Sequence, residues 1–228
     1  MRRGGGGRLI RVALAAIGAA LIALVLAQVL LPGIAASTIR SRVGRYGRVL
    51  SVSVSAWPAV ELLWGSADSV TVSAGALKLT PAQAVGLIAQ TDGVTRLQAT
   101  LTGVQIGPLL LQRARLDKRG AQLTGDGELS APAAVAALPV GVRVFPLASR
   151  AGRVKVRVSG GLFGLGGAVE AVAEARKGRL VVYPLAPSLQ GLRLTLFADP
   201  RIAVEGVGVG FASEQPLVYQ LRMSARLR

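Results

Sequence analysis

The sequence predicts an α+β protein: an N-terminal transmembrane helix followed by one β-rich domain of antiparallel strands with a few short helices. Two observations carry this reading. Residues 12–31 form one apolar run with no charge in it, and at about 1.5 Å rise per residue such a run spans roughly 30 Å, the hydrocarbon thickness of a bilayer. Beyond it, apolar and polar residues alternate with period two in segment after segment, punctuated by Gly and Pro, the pattern of half-buried strands. The predicted layout is a cytoplasmic basic segment at 1–11, a membrane anchor at 12–31, a basic amphipathic stem helix at 32–48 and an extracytoplasmic domain at 49–228.

Arg2, Arg3, Arg8 and Arg11 precede the run, and retained positive charge places the N-terminus inside and the domain outside. Arg40, Arg42, Arg45 and Arg48 follow it, so the charge difference that sets this orientation is thin. The run exceeds the apolar region of an ordinary secretory signal and no strict A-x-A site follows, which favours a permanent anchor. Cleavage at the small residues 33–37, with release into the envelope, is the alternative.

Composition narrows the chemistry. The chain has no Cys and no His, so neither disulfides nor the usual zinc and transition-metal ligands are available, and no metal or other cofactor is expected. Ser-His-Asp and Cys-His nucleophiles are excluded for the same reason. With 27 Lys+Arg against 11 Asp+Glu the formal net charge is +16, which points to an anionic partner, although an arginine excess also follows from codon bias in a GC-rich genome. Two Trp, three Tyr and four Phe are few for stacking on bases, and export argues against nucleic acid. Acidic phospholipid is the more natural anion.

The elements follow in order. Ile34, Ile39, Val43 and Tyr46 recur at helical spacing with Ser37, Arg40, Ser41, Arg45 and Arg48 opposite. This predicts a short basic helix ending at Gly47, either lying on the outer leaflet or packed on the domain. Residues 49–55 alternate Val with Ser as a strand, and Trp57-Pro58 ends it. One or two helical turns at 59–64 closed by Gly65, a strand at 68–74 and its continuation at 77–79 come next, with a hairpin or crossover near Gly75. Thr80-Pro81-Ala82-Gln83 is a capping-box helix start, the helix closing at Asp92-Gly93. A meander of strands is expected at 97–101, 104–106, 109–116 and 121–129, broken by Gly103, Gly107-Pro108, Gly120 and Gly125-Asp126-Gly127. Residues 130–138 suggest a short helix or turn before Pro139. Further strands are expected at 140–144, 153–158, 180–183, 192–197, 202–211 and 217–227, while 168–175 fits strand or helix.

The glycine-rich stretch at 160–167 fits neither dinucleotide nor P-loop spacing, and is read as a hairpin turn. No Ser-x-x-Lys occurs, and Asp126 and Glu128 lie in a turn-like segment, so no catalytic residue is assigned and the protein is not expected to be an enzyme. Apolar candidates for an acyl-chain cavity are Trp57, Val60, Leu62, Leu63, Trp64, Leu109, Leu110, Leu111, Phe163 and Phe197. Each has core packing as its competing role. Arg40, Arg42, Arg45 and Arg48 are candidates for contact with headgroups or the membrane surface.

The order of these features resembles a family. The export segment, the Leu-Pro-Gly and basic helix, and the Val-Ser-Val-Ser strand are followed by Trp57-Pro58-Ala59-Val60-Glu61-Leu62-Leu63-Trp64-Gly65 and Asp68-Ser69-Val70-Thr71-Val72. Together they are similar to the LmeA-like phospholipid-binding family of actinobacterial cell envelopes. Ala56 and Trp57 stand where that family typically has Gly and Phe; Asp199-Pro200-Arg201-Ile202-Ala203-Val204 and the closing strand also look similar. The resemblance implies an exported phospholipid-binding protein supporting envelope lipid or lipoglycan assembly, without established chemistry of its own, and by further analogy an elongated lipid-binding fold. The competing expectation is a non-catalytic envelope scaffold that binds a protein or an anionic polymer.

Overall fold

A computed structural model describes residues 27–228 apart from 29, 139, 161–166 and 190. Most of the apolar run at 12–31, and the whole basic segment at 1–11, therefore lie outside the described residues. Among the described residues no helix is long and apolar enough to cross a membrane.

Helix α1 occupies 27–28 and 30–44. It is followed by β1 (Arg48–Ser55), a 3-10 helix (Ala59–Trp64), β2 (Ala67–Gly75), β3 (Lys78–Leu79), α2 (Pro81–Ala89), β4 (Val94–Ile106), β5 (Leu109–Arg119), β6 (Gln122–Ser130) and α3 (Ala131–Ala136). Strands β7 (Arg143–Arg150), β8 (Arg153–Ser159), β9 (Ala168–Arg176), β10 (Arg179–Pro184), β11 (Leu194–Phe197), β12 (Ile202–Glu214) and β13 (Leu217–Leu227) complete the chain. The β-rich, mainly antiparallel architecture matches the expectation.

Eight strands form one sheet in the order β1-β2-β4-β5-β6-β13-β12, with β3 also paired to β4; β11-β10-β9-β8-β7 form the second. Two pairings depart from the antiparallel pattern. Strand β4 runs parallel to β2 and to β3, so Gly75 leads into a crossover through α2 rather than a hairpin. Crossovers join parallel neighbours because a tight turn cannot.

Local chemistry explains the boundaries. At the start of α2 the Gln83 N–H donates to Thr80 Oγ1 (3.2 Å) and the Thr80 N–H to Gln83 Oε1 (2.8 Å), the reciprocal box the sequence predicts. The helix stops at Ala89, with Gln90 as its C-cap, before Asp92-Gly93. Gly65 closes the 3-10 helix with φ 77°. Other expectations are corrected. Gly103 does not break a strand: β4 runs through it, and its positive φ of 62° comes where β4 passes from β2 to β3 as partner. Gly125-Asp126-Gly127 is mid-strand in β6 rather than a turn. The strand expected at 140–144 is β7, displaced to Arg143–Arg150 by the turn at Gly141 (φ 82°). Residues 168–175 are strand. The glycine-rich segment joins antiparallel β8 and β9, with Gly160 N–H donating to Gly167 O (3.1 Å).

All the inward residues of the large sheet share one face. Val54, Val70, Val72, Leu97, Ala99, Val104, Leu111 and Leu129 form its main core, against which Ala35, Ala36, Ile39, Val43 and Tyr46 of α1 and the following turn pack. The helix-on-domain reading of the stem therefore holds for Ile39, Val43 and Tyr46, while Ile34 is exposed. Val85 and Ile88 of α2 pack on Leu123, Ile202, Ala225 and Leu227; Leu116 joins both clusters. The small sheet has its own cluster around Val142, Val158, Ala171 and Val182. It docks end-on against the free edge of β12, whose Val204, Val207 and Val209 N–H groups donate to Gly178 O, Gly152 O and Ser149 Oγ. This covers an edge that would otherwise invite pairing with another chain.

Candidate functional site

The pairing register sets the site. Leu101↔Ala114↔Gly127↔Leu221↔Val209 and Ala99↔Leu116↔Gly125↔Met223↔Val207 are cross-strand rows, and side chains opposite one another share a face. These rows continue the core face of β1, β2 and β4 across to β12. Helices α1, α2 and α3 cover it unevenly. Val207, Val209, Leu221 and Met223 are only half-buried, and Phe211, 58% exposed, stacks at a tilt on Tyr219 with ring centroids 5.9 Å apart. An apolar face thus runs from a closed core at β1–β4 to an open margin at β12–β13.

On the other face of these strands a cleft of about 550 Å³ reaches from Thr124 and Asp126 of β6 to residues 149–152. Its walls are the side chains of Thr124, Asp126, Gln220, Arg222 and Ser224, on the face opposite Val207, Val209 and Met223, together with Ser149 and Arg150. Gly206, Gly208 and Gly210 make the room: a Cβ at Gly206 would stand 3.0 Å from Ser224 Oγ and 3.4 Å from Gly152 Cα, and one at Gly208 3.3 Å from Ser149 Oγ. The size is that of a small-ligand site, and its side chains are polar, with Arg150 and Arg222 among them.

The opposite face of the large sheet is polar. Arg113 pairs with Glu128 (2.8 Å), Arg222 with Asp126 (3.5 Å) and Arg226 with Glu205 (3.3 Å). Asp126 and Glu128 are thus held by arginines. On the small sheet Glu170 is bonded to Lys155 (2.7 Å) and Glu174 to Arg153 (2.9 Å). The Lys155 hydrogen bond, with Lys155 and Arg157 charge behind it, holds the Glu170 carboxyl below the ordinary range. Asp199 is held low by the side-chain and backbone hydrogen bonds of Arg201, which is raised in turn. Among the described residues no three carboxylates gather to hold a metal ion.

The sequence candidates do not converge. Trp57, Leu63 and Trp64 face solvent, at 74%, 65% and 74% exposure, in the loop between β1 and β2. Val60 is half-buried, and Leu62 and Leu109 pack on the main core, where Leu111 is buried. Leu110 is exposed, Phe197 packs with α2's cluster, and Phe163 lies outside the described residues. The Trp loop and Leu109–Leu111 stand at opposite ends of the sheet, because β1 and β5 run parallel to one another through β2 and β4, and the loop follows the end of β1 while Leu109 starts β5. Arg40, Arg42, Arg45 and Arg48 are exposed; Arg45 is about 22 Å along α1's axis from Leu30 at 1.5 Å per residue. Missing from the candidates were Val207, Val209 and Met223. Their signal was the Gly-Val-Gly-Val-Gly-Phe string at 206–211, with apolar residues on one side and glycines on the other.

The fold is thus that of a one-sided β-sheet whose apolar face is sheltered by helices yet open at one margin. Residues 22–131 match the model of the LmeA-like phospholipid-binding family. The matched region covers α1 through β6 and stops as α3 begins, just short of half the chain. The similar-looking segment at 199–204 and the closing strand lie beyond it. No curated protein and no solved structure matches the chain.

Proposed function

We propose that the protein is an exported phospholipid-binding domain, tethered to the membrane by residues 12–31, that holds acyl chains against the open margin of its apolar sheet. It serves envelope lipid or lipoglycan assembly without chemistry of its own. The observation that carries this reading is the apolar face left half-covered at β12–β13, in a chain whose first half is an LmeA-like region. Acyl chains laid there remove apolar surface from water at about 25 cal/mol per Å². The test uses the full chain, purified in detergent and transferred to vesicles. Native mass spectrometry is expected to show bound phospholipid, and labelled acidic phospholipid to move between vesicle populations in its presence; failure of both ends the reading.

A second reading, an envelope scaffold for an anionic polymer, has one observation in its favour. Arg96, Arg115 and Arg119 are exposed on the polar face, and none makes an ion pair among the described residues. Lipid-independent retention on polyphosphate, lost when these three are changed to Gln, is the outcome that would favour it.

A further inference from the structure

We infer that Trp57, Leu63 and Trp64, with Leu30, form an interfacial tip that beds into the bilayer where the chain leaves it. This rests on the proposal that residues 12–31 are a membrane segment. Three large apolar side chains of one loop stand mostly in water at 65–74% exposure, as does Leu30 at 59%, two residues from the Gln28 that is bonded to that loop, whereas apolar groups of this size ordinarily bury. Their loop is held firmly. The Trp57 N–H donates to Asp68 Oδ2 (2.7 Å), and Gln28 at the start of α1 accepts from the Ala59 N–H (2.7 Å) and donates to the Ala56 carbonyl (3.4 Å).

The identity of the occupant follows from that tie. The apolar run ends at residue 31, and Gln28, within it, is bonded to the very loop that presents the tryptophans. A bilayer that takes up the run must lie against that loop. Tryptophan suits the boundary because its ring is apolar while its indole N–H needs a polar partner, which the headgroup region supplies. The tip fixes the domain with α1 rising from the surface, and puts Arg40–Arg48 at the far end.

The two tryptophans are the only ones in the chain, so intrinsic fluorescence reports on the tip alone. The full chain is placed in phosphatidylcholine/phosphatidylglycerol vesicles, with or without bromine on the acyl chains, and iodide is the aqueous quencher. The expected result is that most tryptophan emission is lost to bromolipid and that iodide has little effect; Trp57→Phe leaves Trp64 to report the same. Emission quenched by iodide and insensitive to bromolipid overturns the inference. So does protection from iodide without bromolipid quenching, which means a protein covers the tip. A lipid at the β12 margin is not a confounder: six strand intervals of about 4.8 Å separate it from β1, roughly 29 Å. Phospholipid transfer is measured on the same vesicles. Transfer with water-exposed tryptophans refutes the tip and leaves the proposed function standing; buried tryptophans without transfer refute lipid carriage and leave the tip.

Discussion

Lys118 is the most buried charged residue described, with 2% of its surface exposed. Its Nζ donates to the Thr91 carbonyl (2.7 Å) and to the Val94 carbonyl, closing the turn that follows α2. Burial pulls its ammonium below the ordinary lysine range, and Asp92 offsets part of that. Lys118→Ala removes both the packed stem and the donors and is expected to cost about 2–5 kcal/mol in denaturant unfolding, as for other large buried side chains. Lys118→Met keeps the volume and loses only the hydrogen bonds, for about 1–3 kcal/mol. A Met variant more stable than the parent would show that desolvation of the ammonium outweighs its two bonds. Acid dependence is set elsewhere. Asp199 and Glu170 have folded pKa values below their ordinary ones, so the stability they add is present above the unfolded values and is lost as pH falls through the folded ones. Unfolding midpoints are expected to drop below about pH 4, and the Asp199→Asn/Glu170→Gln double variant to drop less steeply there; parallel curves would remove these two groups from the acid response.

Between neighbouring strands the informative contact is Arg96↔Arg119, directly opposite on the polar face of β4 and β5. Like charges so placed oppose pairing, and opposite charges favour it by about 0.2–1 kcal/mol. Arg119→Glu is therefore expected to raise thermal stability slightly and to weaken polyphosphate retention; a loss of stability would mean that Arg119 has a favourable role not seen in its ion pairs. Legibility at this scale followed locality. Strands with clean alternation, such as β1, β2 and β8, and the capped start of α2 were readable because their signals lie within a few residues. What misled were glycines, whose role depends on a partner: Gly103 serves a change of neighbour, and Gly125 and Gly127 sit on an apolar face beside Leu116 and Leu111. The parallel pairing of β2 with β4 was unreadable for a similar reason, since Gly75 marks a break in the strand without saying whether a hairpin or a crossover follows. Among site candidates, leucine and tryptophan clusters drew attention by composition, yet composition does not separate Leu111 in the core from Trp57 in solvent.

Across the whole molecule, the apolar face is sealed where α1 lies on β1–β4 and open where β12 and β13 end against the small sheet. Sealed and open regions demand opposite responses to the same kind of substitution. Leu123, 1% exposed beneath α2, belongs to the sealed part, and Leu123→Ala is expected to lose about 2–5 kcal/mol while the remaining folded fraction still carries lipid. Val209 and Met223 belong to the open margin and are half-buried, so a charge introduced there keeps contact with water and costs the fold little. It also places that charge where acyl chains would lie, which is expensive for the complex because an unpaired charge against hydrocarbon is poorly solvated. Val209→Glu and Met223→Glu are therefore expected to abolish phospholipid transfer while shifting the unfolding midpoint far less than Leu123→Ala. If the two Glu variants transfer lipid as the parent does, acyl chains do not use the β12–β13 margin, and the apolar face of this sheet is a core with a worn edge rather than a seat for a ligand.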